Sequence, residues 1–177
     1  GDARRAPPRS DARGLTVARY KTASYTLVGP LQVGAALFGA PAALHRAYAE
    51  IGEAAGEAFQ LRDDLLGVFG PPDRTGKSNL DDLREGKPTV LFSLALAQSG
   101  AAQAARLLDR YGRPDLDEAG AEELRELLRA SGAVAAVEAL IAERAQRALA
   151  VLAQAPIGSE AREDLASFLH EALYRNR

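Results

Sequence analysis

Pro41-Ala-Ala-Leu-His-Arg-Ala-Tyr-Ala-Glu-Ile-Gly-Glu-Ala-Ala-Gly-Glu-Ala-Phe-Gln-Leu-Arg-Asp-Asp-Leu-Leu-Gly-Val-Phe-Gly70-Pro71-Pro72 is the stretch on which the fold turns. Pro41 stands where a first-turn proline belongs, and apolar residues then run without a breaker pair until Gly70-Pro71-Pro72 stops them. The spacing predicts one helix of about 28 residues, roughly 42 Å long, enough to cross a domain. Each helical residue advances by roughly 100°, so Gln60, Asp63, Asp64 and Gly67 share one face. Ala55, Ala58, Phe59, Leu61, Leu65, Leu66, Val68 and Phe69 occupy the remaining circumference, the composition of a helix buried on most sides. Most helical Asp-Asp pairs are merely the solvated side of an amphipathic helix. Inside a protein, adjacent carboxylates repel each other and lose hydration, so they need a cation or solvent to compensate them. A polar stripe on a mostly greasy helix therefore predicts a cavity along that stripe.

Outward from this helix, Ala, Leu, Glu, Arg and Gln dominate and alternation with period two is almost absent, so the fold is expected to be all-α. Residues 1–14, rich in Pro, Gly and Arg, read as a flexible linker or loop, and residues 15–177 as the structured part. Upstream, a helix is predicted from Leu15 to Leu27, closed by Gly29-Pro30, with a shorter one from Leu31 to Phe38. Downstream, residues 70–87 read as a polar loop, Pro88 opens a helix to about Gln98, and Gly100 caps it. Further helices are expected at Ala101–Tyr111, at Glu118–Ala130 behind an Asp117 cap, at Ala133–Gln154, and at Glu160–Arg175 behind Ser159. Tyr48, Phe59, Phe69 and Phe92 fit helical core positions, while Glu122, Glu123, Arg125 and Glu126 read as a solvated face.

Composition removes several functions. The 177 residues carry 22 basic and 24 acidic side chains, a formal charge of −2, so there is no global basic field for nucleic acid. No run of eighteen apolar residues exists to form a transmembrane segment. The absence of Cys, with only His45 and His170 far apart, excludes disulfides and thiolate sites and makes zinc a poor fit. A metal here must sit on oxygen, which favours Mg²⁺.

The loop after the long helix reads Thr75-Gly76-Lys77-Ser78-Asn79-Leu80-Asp81-Asp82-Leu83-Arg84-Glu85-Gly86-Lys87. Its glycines let backbone approach a ligand and its lysines suit phosphate oxygens; beside a carboxylate-held cation this describes a site for a magnesium-bound diphosphate. The P-loop spacing is absent and no strand precedes it. Upstream, Tyr20-Lys21-Thr22-Ala23 sets a lysine within an apolar helix, where an exposed snorkelling lysine and a ligand-binding one are equally compatible with the pattern.

Together and in this order, Lys21-Thr22-Ala23, the Phe59-Gln60-Leu61-Arg62-Asp63-Asp64 run, Thr75-Gly76-Lys77, Asp81-Asp82-Leu83-Arg84-Glu85-Gly86-Lys87 and Pro88-Thr89-Val90-Leu91 resemble the second half of a trans-isoprenyl diphosphate synthase of the polyprenyl synthetase family. The resemblance covers residues 15 to about 100 well and the rest loosely. It implies an incomplete helical bundle of the isoprenoid synthase type around a deep cavity, a cytoplasmic homodimer, and Mg²⁺ clamping the diphosphate of an allylic substrate. Isopentenyl diphosphate then condenses head-to-tail with the allylic cation. It also implies roles: Asp63 and Asp64 as metal ligands, Asp82, and less so Asp81, holding the same ion through water, and Lys21, Lys77 and Lys87 on diphosphate oxygens. Thr22 and Gln60 would stand beside the reacting allylic carbons, and with Lys21 they make up the implied catalytic set.

Two departures qualify the likeness. The usual Asp-Asp-x-x-Asp ends here in Gly67, which removes one carboxylate from the face and predicts weaker or shifted metal binding. The first aspartate-rich motif and its arginine pair have no counterpart before Leu15, and the chain opens with Gly1. The expectation is a C-terminal part of a longer synthase, inactive by itself. A non-catalytic, synthase-like regulatory subunit is the competing reading, favoured by Gly67 and by the absent first motif. A terpene cyclase fits less well, since residues 60–68 hold neither Asn nor Ser.

Overall fold

The computed structural model describes residues 28–70 and 80–174. Among them every regular element is a helix: α1 (Gly29–Leu37), α2 (Ala42–Phe69), α3 (Leu80–Glu85), α4 (Val90–Gln98), α5 (Ala101–Arg110), α6 (Glu118–Ala130), α7 (Ala133–Gln154) and α8 (Ser159–Tyr174). The expected linker at 1–14 and the helix at 15–27 lie outside the described residues. No described helix is long and apolar enough to cross a membrane.

The 28-residue α2 runs between the predicted breakers, from Pro41 as N-cap to Gly70 as C-cap. It packs along α7 more extensively than any other pair of helices meets. The seam is built from small or branched side chains at helical spacing: Ile51, Ala54, Ala55 and Ala58 on α2, and Val137, Ile141, Ala145 and Ala148 on α7, all essentially without solvent exposure. Alanine at successive turns lets two helix axes come close, which is why these two form the spine of the bundle. Helices α1, α3, α4 and α8 lie against α2, and α4, α6 and α8 against α7. Tyr48, Phe59, Phe69 and Phe92 pack on the core, as their spacing predicted.

Several boundaries differ from expectation, each for a local reason. Helix α1 begins at Gly29, ahead of the expected Leu31, with Pro30 in the first turn where its missing N–H costs nothing. Thr89, one residue past Pro88, is the N-cap of α4, its hydroxyl accepting the Phe92 N–H at 3.2 Å. Gly100 is the N-cap of α5 rather than the end of α4. Asp117 caps α6 as expected, accepting the Gly120 N–H at 2.8 Å. The supposed loop 70–87 contains the one-and-a-half-turn helix α3.

Two arginines are buried in the bundle. Arg62 occupies a core position of α2 between Ala58 and Leu65; its Nη1 and Nη2 donate to the two carboxylate oxygens of Glu138 on α7 at 2.7 and 2.8 Å, and its Nε to the Leu173 carbonyl of α8 at 3.2 Å. A guanidinium can be buried when this fork geometry meets its donors. Arg125, expected on a solvated face, is instead buried. Its Nε donates to the Val68 carbonyl at 2.9 Å, and its Nη1 to Glu118 and Glu122 at 2.8 and 3.1 Å. It thus supplies a cation and a donor to the orphan carbonyls at the end of α2. The helix carrying the aspartates is therefore tied within its C-terminal half and at its C-terminus.

Candidate functional site

The anchored α2 presents Gln60, Asp63, Asp64 and Gly67 on a half-buried face. The polar stripe thus neither points wholly into solvent nor lies fully inside. The Gln60 amide donates to Asp64 Oδ1 at 3.1 Å, the i to i+4 reach of a helix face. Asp64's carboxyl is pushed up to about 6, chiefly by burial, with the charges of Asp63 and Asp82 adding to the rise; the Gln60 hydrogen bond and the Lys87 charge oppose it.

Helix α3 brings Asp82 to this face at the position of Gly67. A Cβ placed on Gly67 would stand 2.1 Å from Asp82 Oδ2 and 3.2 Å from its Cγ, so the carboxylate occupies the volume that any side chain at 67 would claim. The departure read as a lost carboxylate is, in space, a substitution: Asp82 stands where a side chain at 67 would project. Lys87 Nζ pairs with Asp82 Oδ1 and lies 3.6 Å from Glu85. The hydrogen bond to Asp82 holds the Lys87 ammonium above its ordinary value. Lys87 is exposed, so its head remains accessible on the open side.

Of the residues expected at the site, Gln60, Asp63, Asp64, Asp82 and Lys87 fall together around α2 and α3. Lys21, Thr22 and Lys77 lie outside the described residues. Among the described residues no three acidic or imidazole groups close around a common point. Asp63 and Asp64 are sequence neighbours on a helix, about 100° apart around its axis, and the charges of Asp63 and Asp82 both act on Asp64. The half-set still suits Mg²⁺, which keeps several waters and takes one or two carboxylates together with substrate phosphates. A carboxyl held up to about 6 by burial and like charges also marks a face short of positive charge, which a divalent ion supplies.

Sequence reasoning missed Tyr111. Its hydroxyl donates to the Lys87 carbonyl at 2.5 Å, and its ring stacks on Phe92 with centroids 3.7 Å apart and planes 10° apart. Burial pushes the phenol up to about 12, the charges of Asp64 and Asp82 adding to the shift. No sequence signal links Tyr111 to Lys87, because the contact is made by packing across 24 residues. Arg62 was legible in principle: it interrupts an i, i+4 apolar series at a position that faces the core.

An all-helical bundle whose longest, best-anchored member displays acids beside a lysine defines a class, the isoprenoid synthase fold, and solved structures of that class superpose on this chain. Geranylgeranyl pyrophosphate synthase from Corynebacterium glutamicum, complexed with isoprenyl diphosphate and magnesium, matches with a TM-score of 0.86 and 38% identity over 91% of this chain and 46% of that one. Polyprenyl synthase from Caulobacter crescentus, complexed with calcium and isoprenyl diphosphate, gives 0.82 and 35% over 94% and 50%. The polyprenyl synthetase family model matches residues 9–128, and the chain belongs to that family. Among curated relatives, geranylfarnesyl diphosphate synthase of Aeropyrum pernix is 33% identical over 150 residues, 84% of this chain and 46% of the relative. A (2E,6E)-farnesyl diphosphate synthase of Mycobacterium bovis is 37% identical over 121 residues, 67% of this chain and 33% of the relative. The chain thus spans less than half the length of these two relatives.

Proposed function

We propose that the protein is a prenyltransferase that condenses an allylic diphosphate with isopentenyl diphosphate, head-to-tail, to give a longer polyprenyl diphosphate. The C–O bond to the allylic diphosphate breaks, a C–C bond forms to the alkene of isopentenyl diphosphate, and a proton is lost. The observation that carries the reading is the Asp82 carboxylate seated over Gly67, which sets a third acid and the Lys87 ammonium against the Asp63–Asp64 pair. In this reading Asp63 and Asp64 hold Mg²⁺ directly and Asp82 holds it through water. When bound, the ion supplies positive charge to the departing diphosphate. Lys87, with Lys21 and Lys77, binds diphosphate oxygens, and its charge acts most strongly as negative charge accumulates on the leaving group. Gln60 orients the Asp64 carboxylate through the amide and, with Thr22, lies toward the reacting carbons. A cytoplasmic homodimer belongs to the same proposal, on the strength of the family resemblance.

The competing reading, a non-catalytic subunit, drew on Gly67 and on the absent first aspartate-rich motif; Asp82 in the volume of a side chain at 67 supports the catalytic reading against the first of these. The test is product formation from labelled isopentenyl diphosphate and an allylic primer with Mg²⁺, resolved by chain length. Asp63→Ala in the complete protein should lower turnover by at least about 100-fold, the scale expected for loss of transition-state charge stabilisation. Its folding should be little changed, because the side chain is not part of the core. Unchanged turnover in a well-folded variant refutes the metal role.

A further inference from the structure

Helix α3 has six residues, too few to persist in water on its own, and Lys87 sits in the short link between it and α4. Something else must fix Asp82 and Lys87, and the contacts come from the corner joining α5 to α6. Gly112 N–H donates to the Leu83 carbonyl at 2.9 Å. Arg84 donates to the Leu116 carbonyl, at 2.9 Å from Nε and 2.6 Å from Nη2. Gly86 and Gly112 meet backbone to backbone: a Cβ on Gly86 would lie 2.8 Å from Gly112 Cα, and both residues have the positive φ, +63° and +77°, that glycine tolerates. The Lys87 carbonyl accepts twice, from Thr89 N–H at 2.8 Å and from the Tyr111 hydroxyl at 2.5 Å. The stack on Phe92 holds the tyrosine ring in the plane that delivers this bond.

We propose that Tyr111 is a positioning residue: by holding the Lys87 backbone against the α5–α6 corner, it aims the lysine ammonium across Asp82 toward a bound diphosphate. This rests on the reading of Lys87 as a diphosphate contact. A lysine stem carries large rotamer freedom, so the Asp82 ion pair directs the ammonium to one place only if the backbone from which the stem grows is itself fixed.

The test is a double-mutant cycle on the complete protein, read as affinity for inorganic pyrophosphate in the presence of Mg²⁺ by titration calorimetry. Tyr111→Phe keeps the stack and loses one hydrogen bond; it should weaken pyrophosphate by about two- to tenfold. Lys87→Ala should weaken it at least as much. In the Lys87→Ala background, Tyr111→Phe should have no further effect, because the lysine through which it acts is gone. Multiplying effects, or a Tyr111→Phe change confined to the melting temperature, overturn the positioning role while leaving Lys87 as a ligand. Unchanged affinity in Lys87→Ala overturns the underlying assignment and the positioning role with it.

Discussion

Gly67→Ala isolates the contact on which the site depends. The added methyl would stand 2.1 Å from Asp82 Oδ2, roughly 1.3 Å inside ordinary contact, and α2 cannot yield because Arg62 and Arg125 anchor it on either side of residue 67. The short Asp82 side chain must swing away, leaving both the acidic face and the Lys87 ammonium. Loss of such an outer contact to a metal costs about 10- to 100-fold in affinity, or about 1.4–2.7 kcal/mol. The same change replaces a helix-interior glycine by alanine, which by itself stabilises by about 0.5–1 kcal/mol. The two effects have opposite signs and separate experimentally. Melting in the presence of chelator should be unchanged or slightly higher, while calorimetric titration of Mg²⁺ with pyrophosphate present should show the weaker binding. Gly67→Asp combined with Asp82→Ala should recover part of the affinity lost in Gly67→Asp alone, since it returns one carboxylate to the shared volume. Wild-type Mg²⁺ affinity in a correctly folded Gly67→Ala protein would refute the role given to Asp82.

Asp64 ties stability to pH: its folded value near 6 lies above the ordinary 3.8, so the folded chain binds the extra proton in that interval. Asp64's contribution is fully present below about pH 4 and is lost as pH rises through about 6. Without metal, Asp64→Asn should be more stable than wild type at pH 7 by on the order of 2–3 kcal/mol, the difference closing toward pH 4. The groups acting on Asp64 are Asp63, Asp82, Lys87 and Gln60, and a pH-independent difference in denaturant melts would contradict the assignment. Arg62→Ala strips Glu138 and the Leu173 carbonyl of their donor; because Glu138 is 34% exposed, the loss should sit at the low end of the buried-pair range, about 3 kcal/mol, read from urea midpoints. A loss under about 1 kcal/mol would show that the clamp does not anchor α2.

Much of the fold is written in short-range chemistry. Pro41 and Gly70 bound α2 because an N-terminal proline and a terminal glycine act within one helical turn, and Asp117 reads as a cap for the same reason. The spacing of Ala55, Ala58 and Leu65 states which side of α2 is buried. Misreadings arose where a neighbour outweighs local preference. Helix α3 exists because Gly112 and Arg84 contacts hold it, not because six residues favour it, and Arg125 is buried because the end of α2 offers it a carbonyl. The polar stripe was legible from the helical angle alone, but its closing partner was not: nothing in the order of residues says that Asp82 reaches Gly67, or that Tyr111 reaches Lys87.

The order of amino acids by itself determined an all-helical chain, the length of its central helix and the acids that share one side of it, because hydrogen bonds between residues four apart and a fixed angle per residue require no distant partner. Only tertiary structure decided that a missing side chain at 67 is the berth for an acid from another helix, and that a tyrosine far along the chain steadies the lysine beside it. Such meetings depend on how whole helices pack, and packing is set by the summed fit of many side chains rather than by any local run.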